Sequence, residues 1–138
     1  MYVLSMGAGM TMGFPDVCLT PVPTPAGPIP TPIPYPNTGT TAMTPASVKN
    51  VLMGCTPTVN QMASIAMTSG DEAGALTGVV SHMIKGQGMW ILGSTSLLVG
   101  GMPAMRLTSV GGGNAMGLMP NCPATCIVPS QFITMALR

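Results

Sequence analysis

Charge is what this 138-residue chain has least of: four basic and three acidic residues make up 5% of it, against roughly 25% in an average soluble domain. A net charge of +1 with no basic cluster removes the electrostatic attraction that nucleic-acid binding depends on, and excludes nucleic acid as a partner. Long hydrophobic runs are also missing. Mean hydropathy is +0.51, yet the longest apolar stretches, such as 97–105, contain Gly and Pro and fall well short of the ~20 residues a spanning helix needs. No Lys or Arg precedes Lys49, so the basic start of a secretory signal is absent. Synthesis and folding are therefore expected in the cytoplasm, with any export by a route that reads no signal peptide. A surface this poor in charge must rely on Ser, Thr, Asn and backbone groups for solubility, or be covered by a partner, and partial cover is the expectation.

What is abundant is turn chemistry, with 18 Gly and 15 Pro. Val51-Leu52-Met53-Gly54-Cys55-Thr56-Pro57-Thr58-Val59-Asn60 returns as Leu97-Leu98-Val99-Gly100-Gly101-Met102-Pro103-Ala104-Met105-Arg106. Each copy reads as apolar strand, Gly-x-x-Pro turn and second strand, the pattern of a β-hairpin. A repeated hairpin implies a fold with internal pseudo-symmetry. Short β-prone runs at 47–53, 59–67, 78–84, 89–92, 96–99, 104–109 and 126–137 predict an all-β domain, with a short helix over 56–68 left open. Nine prolines lie between Pro15 and Pro36, a density that excludes helix and central strand and predicts extended backbone over 14–46 packed against the domain. Residues 1–13, rich in Met and Gly without a period, predict a mobile or partner-ordered arm preceding a single domain over 14–138.

Few residues offer chemistry. Asp71 and Glu72 stand side by side in a Gly-rich turn, a general acid/base or metal pair on one reading and a solvated turn on the other. The single His82 has no evident carboxylate partner for a triad, and Gly111-Gly112-Gly113-Asn114 lacks the frame of a phosphate loop; enzyme activity is not expected. The 15 Met are scattered, as core and interface filling would have them. Cys122 and Cys126 form one close pair, to which Cys18 and His82 could add to make a tetrahedral zinc site. Buried free thiols and a disulfide formed after export fit the same spacing. Cys55 falls at a turn position and is the poorest ligand.

Several motifs in consistent order carry a resemblance: Phe14-Pro15-Asp16-Val17-Cys18-Leu19-Thr20-Pro21, the Pro-Ile-Pro-Tyr-Pro-Asn stretch of 32–37, Ser69-Gly70-Asp71-Glu72-Ala73-Gly74 with Gly78-Val79-Val80-Ser81, Gly101-Met102-Pro103-Ala104-Met105-Arg106, and Val128-Pro129-Ser130-Gln131. From about Phe14 onward the chain resembles the PAAR-like proteins of contractile injection systems, such as type VI secretion and related phage-tail-like machines. The resemblance implies a compact conical β-domain of pseudo-repeated hairpins that caps and sharpens a trimeric β-helical spike, one tip per trimer. Membrane puncture, transient contact with the target membrane, possible effector loading and delivery outside the cell or into a target cell come with it. Ending at Arg138, the chain leaves no room for a fused toxin, which makes it the tip itself or an adaptor. Gly54, Pro57, Gly101, Pro103 and Arg106 are the expected hairpin-turn or spike-binding residues. The third hairpin that a three-fold base needs is not identifiable by identity, with 71–93 or the Pro-rich segment as possible places. The wider family's zinc ion implies Cys18, His82, Cys122 and Cys126 as ligands here, although Asn60 and Arg106 stand where histidines are typical. A secreted effector or enzyme using Asp71, Glu72 and His82, and a small zinc module with an unrelated partner, are the alternatives.

Overall fold

A computed structural model describes residues 1–45 and 47–137. The fold is all-β, and one antiparallel sheet dominates it. β1 (Met10–Thr24) and β2 (Gly27–Thr40) are its longest strands, joined by β5 (Thr68–Ser69), β6 (Gln87–Leu92), β9 (Val110–Ala115) and β10 (Cys122–Val128) in the order β5-β2-β1-β10-β9-β6. Two small hairpins complete the list, β3 (Val48–Met53) with β4 (Thr56–Thr58) and β7 (Leu98–Val99) with β8 (Met102–Pro103). The described helical structure is a single 3-10 turn at Thr41–Met43, and no helix among the described residues is long and apolar enough to cross a membrane.

The proline-rich segment, expected to exclude helix and central strand, is a paired two-stranded ribbon. It forms most of β1 and β2, paired through to Thr24↔Gly27. In an antiparallel ladder alternate residue pairs exchange both backbone bonds, while the pairs between them turn their N–H groups outward. Six prolines of this ribbon fall in one alternate set: Val17↔Pro34, Leu19↔Pro32, Pro21↔Pro30 and Pro23↔Pro28. The intervening pairs, Asp16↔Tyr35, Cys18↔Ile33, Thr20↔Thr31 and Val22↔Ile29, keep every N–H the ladder needs. These six prolines therefore cost the ribbon no internal bond and remove donors only from its outer edges, which discourages pairing with other strands. The two edge positions of β1 that are not proline are used: Leu19 N–H donates to Thr77 O at 2.9 Å, and Val17 O accepts from Val79 N–H at 3.0 Å. None of residues 20–36 is buried, so the segment pairs with itself and extends beyond the core instead of lying over it.

The N-terminal residues likewise differ from the expected arm. Val3, Leu4 and Ser5 are 0% exposed, and residues 10–13 open β1. Leu4 belongs to the main core cluster with Val59, Ala63, Ile65, Trp90, Met105 and Cys126. Val3 joins a second cluster with Val99, Ala104 and Ala136, flanked by Val48, Met53 and Leu97. Of the runs read as strands, 59–67, 78–84 and 104–109 form turns and isolated bridges. Their residues pair singly with distant segments, so no continuous ladder forms.

Candidate functional site

The two repeated hairpins have the same build. Met53↔Thr56 and Val99↔Met102 close two-residue loops, Gly54-Cys55 and Gly100-Gly101. All four loop residues have positive φ (61°, 64°, 62° and 80°), as a type I′ turn requires. Pro57 and Pro103 follow in the second strands, opposite Leu52 and Leu98. Beyond them the chains meet in a closed ring of backbone bonds: Leu4 N–H donates to Met105 O at 2.7 Å, Met105 N–H to Val59 O at 3.0 Å, and Val59 N–H to Leu4 O at 3.0 Å. A second ring runs one step outward, with Met6 N–H on Pro57 O, Gln61 N–H on Pro103 O and Leu107 N–H on Tyr2 O, all at 2.8–2.9 Å. The bridges Ser5↔Thr58, Asn60↔Ala104 and Val3↔Arg106 repeat the cycle once more.

This is a pseudo-three-fold arrangement in which Leu4, Val59 and Met105 are equivalent. The third hairpin is therefore neither 71–93 nor the Pro-rich segment. It is divided between the two ends of the chain: Tyr2 pairs with Met135 as Pro57 pairs with Leu52 and Pro103 with Leu98, and Val3 N–H donates to Thr134 O at 3.0 Å as Ala104 N–H does to Leu97 O. Gln131, 6% exposed, braces it, donating to Val3 O and Thr134 O and accepting from the N–H groups of Ile133 and Thr134, each at 2.7 Å. A sequence signal existed in the apolar runs at 2–4 and 132–137, but without a turn between them nothing marked them as partners. Equivalent positions outside the ring match in exposure: Leu52 is 61% exposed, Leu98 63% and Met135 61%. Three apolar side chains at equivalent positions are thus more than half exposed.

Apart from these hairpins, buried polar chemistry gathers at the root of the proline ribbon. Asp16 and Cys18, adjacent on one face of β1, meet Asp71 from the loop between β5 and β6. One ligand atom from each lies within 4.8 Å of the others, and all three residues are 0% exposed. Gly74 lets that loop close, since a Cβ there would stand 2.2 Å from Cys18 Cβ. Three side-chain amides converge on Asp16: Asn37 at 2.5 Å, Asn114 at 3.4 Å, and Asn121. Lys85 N–H donates to both Asp71 oxygens. Burial, reinforced by the Asp16 charge, pushes the Cys18 thiol up to about 12 and Cys122 likewise to about 12. Burial also raises the Asp71 carboxyl above its ordinary range, partly opposed by the Lys85 N–H.

The zinc quartet expected from the sequence is not assembled. His82 is exposed, and Cys126 lies in the main core donating to Val128 O at 3.3 Å. Cys122 faces the same buried acids as Cys18, within reach of the Asp16 and Asp71 charges. Nor do Asp71 and Glu72 act together, because Asp71 turns inward while Glu72 accepts from Gly70 N–H and pairs with Lys85 Nζ at 3.5 Å on the surface. Arg106 forms part of the ring of bridges, with its Nε buried and unpartnered.

All four cysteines are free thiols, with Cys55 exposed and the other three buried. Burial lifts Cys126 to about 11 as well, so at pH 8 the buried sulfurs are protonated and shielded. A thiol-reactive dye should therefore label one cysteine rapidly in the native protein and four in denaturant, and loss of the fast phase in Cys55→Ser identifies it. Fast labelling of two or more would contradict this burial pattern.

The comparisons agree with this architecture. Over 77 residues, 54% of its length, the chain is 39% identical to the DNase toxin Tse7 of Pseudomonas aeruginosa. The match spans a fifth of that toxin. No solved structure matches the chain. The family model described as the toxin PAAR-like domain matches residues 9–120, most of the sheet together with both contiguous hairpins, and the chain belongs to that family.

Proposed function

We propose that this protein caps the blunt end of a trimeric β-helical spike in a contractile injection system of the type VI class, one copy per trimer. The observation that carries the reading is the closed ring of Leu4, Val59 and Met105, which turns a single asymmetric chain into a three-fold base. Symmetric partners demand repeated contact surfaces, and three hairpins with exposed strand edges can each extend one spike chain by β-augmentation. Leu52, Leu98 and Met135 supply matching apolar contacts. The proline-edged ribbon, sealed against strand pairing and free of charged side chains over 20–36, suits a part that passes through other matter without sticking. Such a tip travels with the apparatus, touches the target membrane briefly, and is left outside the cell or in the target cell.

The similarity to a DNase toxin favours a second role for the same module, as carrier of an effector on its own or another chain. Native mass spectrometry of this protein co-expressed with a trimeric β-helical spike protein is expected to show one copy bound to three spike chains. A folded protein that forms no such complex with spike proteins encoded beside it would remove the tip reading and leave the effector-carrier one.

A further inference from the structure

The hairpin base carries charge of one sign. None of the three acidic residues of the sequence lies on a hairpin or in the ring: Asp16 and Asp71 are buried at the root of the ribbon, and Glu72 pairs with Lys85 on the surface. Two cations stand on the base instead, Lys49, exposed on β3, and Arg106, half-buried and bridged to Val3. The pseudo-three-fold arrangement accounts for the state of Arg106. Its equivalent Asn60 donates through its side-chain amide to Val99 O at 3.1 Å. The carbonyl equivalent to Val99 O is that of Ala136, and it already accepts from Met1 N at 2.9 Å. Arg106 thus lacks the acceptor that serves Asn60, and its Nε is buried and unpartnered. A guanidinium keeps its charge and offers five N–H donors. Burying part of one without an acceptor is unfavourable unless a partner supplies the acceptor on assembly.

We infer that the hairpin base docks on an acidic surface, where an Asp or Glu carboxylate of the partner pairs with the Arg106 guanidinium. This rests on the spike reading and gives it a chemistry: the blunt end of the spike trimer presents carboxylates to the tip. Carboxylates pair with a guanidinium through charge-assisted hydrogen bonds, and the base has no negative charge to repel them. Lys49 adds attraction during approach. The ionic contact is asymmetric within a three-fold interface. Of the equivalent residues Ser5, Asn60 and Arg106, the first two are bonded within the chain, Ser5 to Thr56 and Ser130 and Asn60 to Val99. A three-fold spike offers three identical carboxylates, so Arg106 engages one of them, while Leu52, Leu98 and Met135 serve all three spike chains alike.

Titration calorimetry of the full chain against the spike trimer encoded beside it tests this. Affinity is expected to fall several-fold between about 0.05 M and about 0.5 M salt. Arg106→Met should weaken binding at least about tenfold at the lower salt and flatten the salt dependence. Arg106→Lys, which keeps the charge without the fork, should fall between the two. Against a spike whose blunt-end carboxylates are changed to amides, wild type and Arg106→Met should bind equally. Because the Arg106 Nε has no partner to lose, Arg106→Met should melt within about 5 °C of the wild type. A larger drop would show that the chain itself satisfies the guanidinium, and would overturn the inference. So would a complex equally tight at both salts and in Arg106→Met, which would leave the spike reading standing. A wild-type protein that binds no spike at either salt would remove the spike reading and this inference with it.

Discussion

Deleting residues 1–5 is expected to leave the protein unfolded. Val3 and Leu4 are fully buried in two different core clusters, and burial of such side chains stabilises by about 1.5–3 kcal/mol each. The deletion also breaks backbone bonds to Thr134, Met105, Val59, Leu107 and Ala136 and the bond from Ser5 N–H to Ser130 Oγ, each worth about 1 kcal/mol. Together these approach the whole stability of an ordinary domain, about 5–15 kcal/mol. The milder Leu4→Ala should cost about 2–5 kcal/mol. Thermal melts followed by circular dichroism check both, and a cooperative melt in the deletion variant within a few degrees of the wild type would refute this account of the divided hairpin. The converse experiment is more specific. Because Met1–Val3 and Thr134–Ala136 pair as the strands of a hairpin, replacing residues 137–138 by Asn-Gly and joining them to Met1 supplies the missing turn. Opening the chain between Gly100 and Gly101 then yields a circular permutant that should fold to the same structure. Failure of the permutant to fold would show that the three hairpins are not interchangeable.

The second large effect concerns the exposed ring. Leu52→Asp, Leu98→Asp and Met135→Asp together should abolish co-purification with a spike trimer while leaving Tm within a few degrees, since these side chains are more than half exposed and surface substitutions rarely exceed about 0.5 kcal/mol each. Single variants should weaken binding in steps of similar size, because the three positions are equivalent; each lost apolar anchor is worth about 2 kcal/mol, roughly thirtyfold in affinity. An effect confined to one of the three would contradict three-fold docking, and an unaffected triple variant would place the spike contact elsewhere.

Much of the site was legible because it is local. The hairpin repeat, its two-residue turns and the place of Cys55 follow from Gly spacing and β-prone runs within ten residues of sequence, and the resemblance to PAAR-like proteins rests on such short blocks. The all-β class follows from the same turn density. Three features lay outside that reach. Proline's effect on the ribbon depends on which alternate pairs exchange hydrogen bonds, a matter of register between strands that composition does not reveal. The third hairpin joins residues more than 130 positions apart, and no pattern in either end announces the other. The acid cluster is formed by one strand, one loop and three asparagines whose only common property is where the backbone carries them. Local preferences of turn and strand were thus determined by the amino-acid sequence read on its own, whereas symmetry, register and the company of Cys18 were decided by tertiary structure, because each depends on contacts whose partners are far apart in the chain and selected only when the whole core packs.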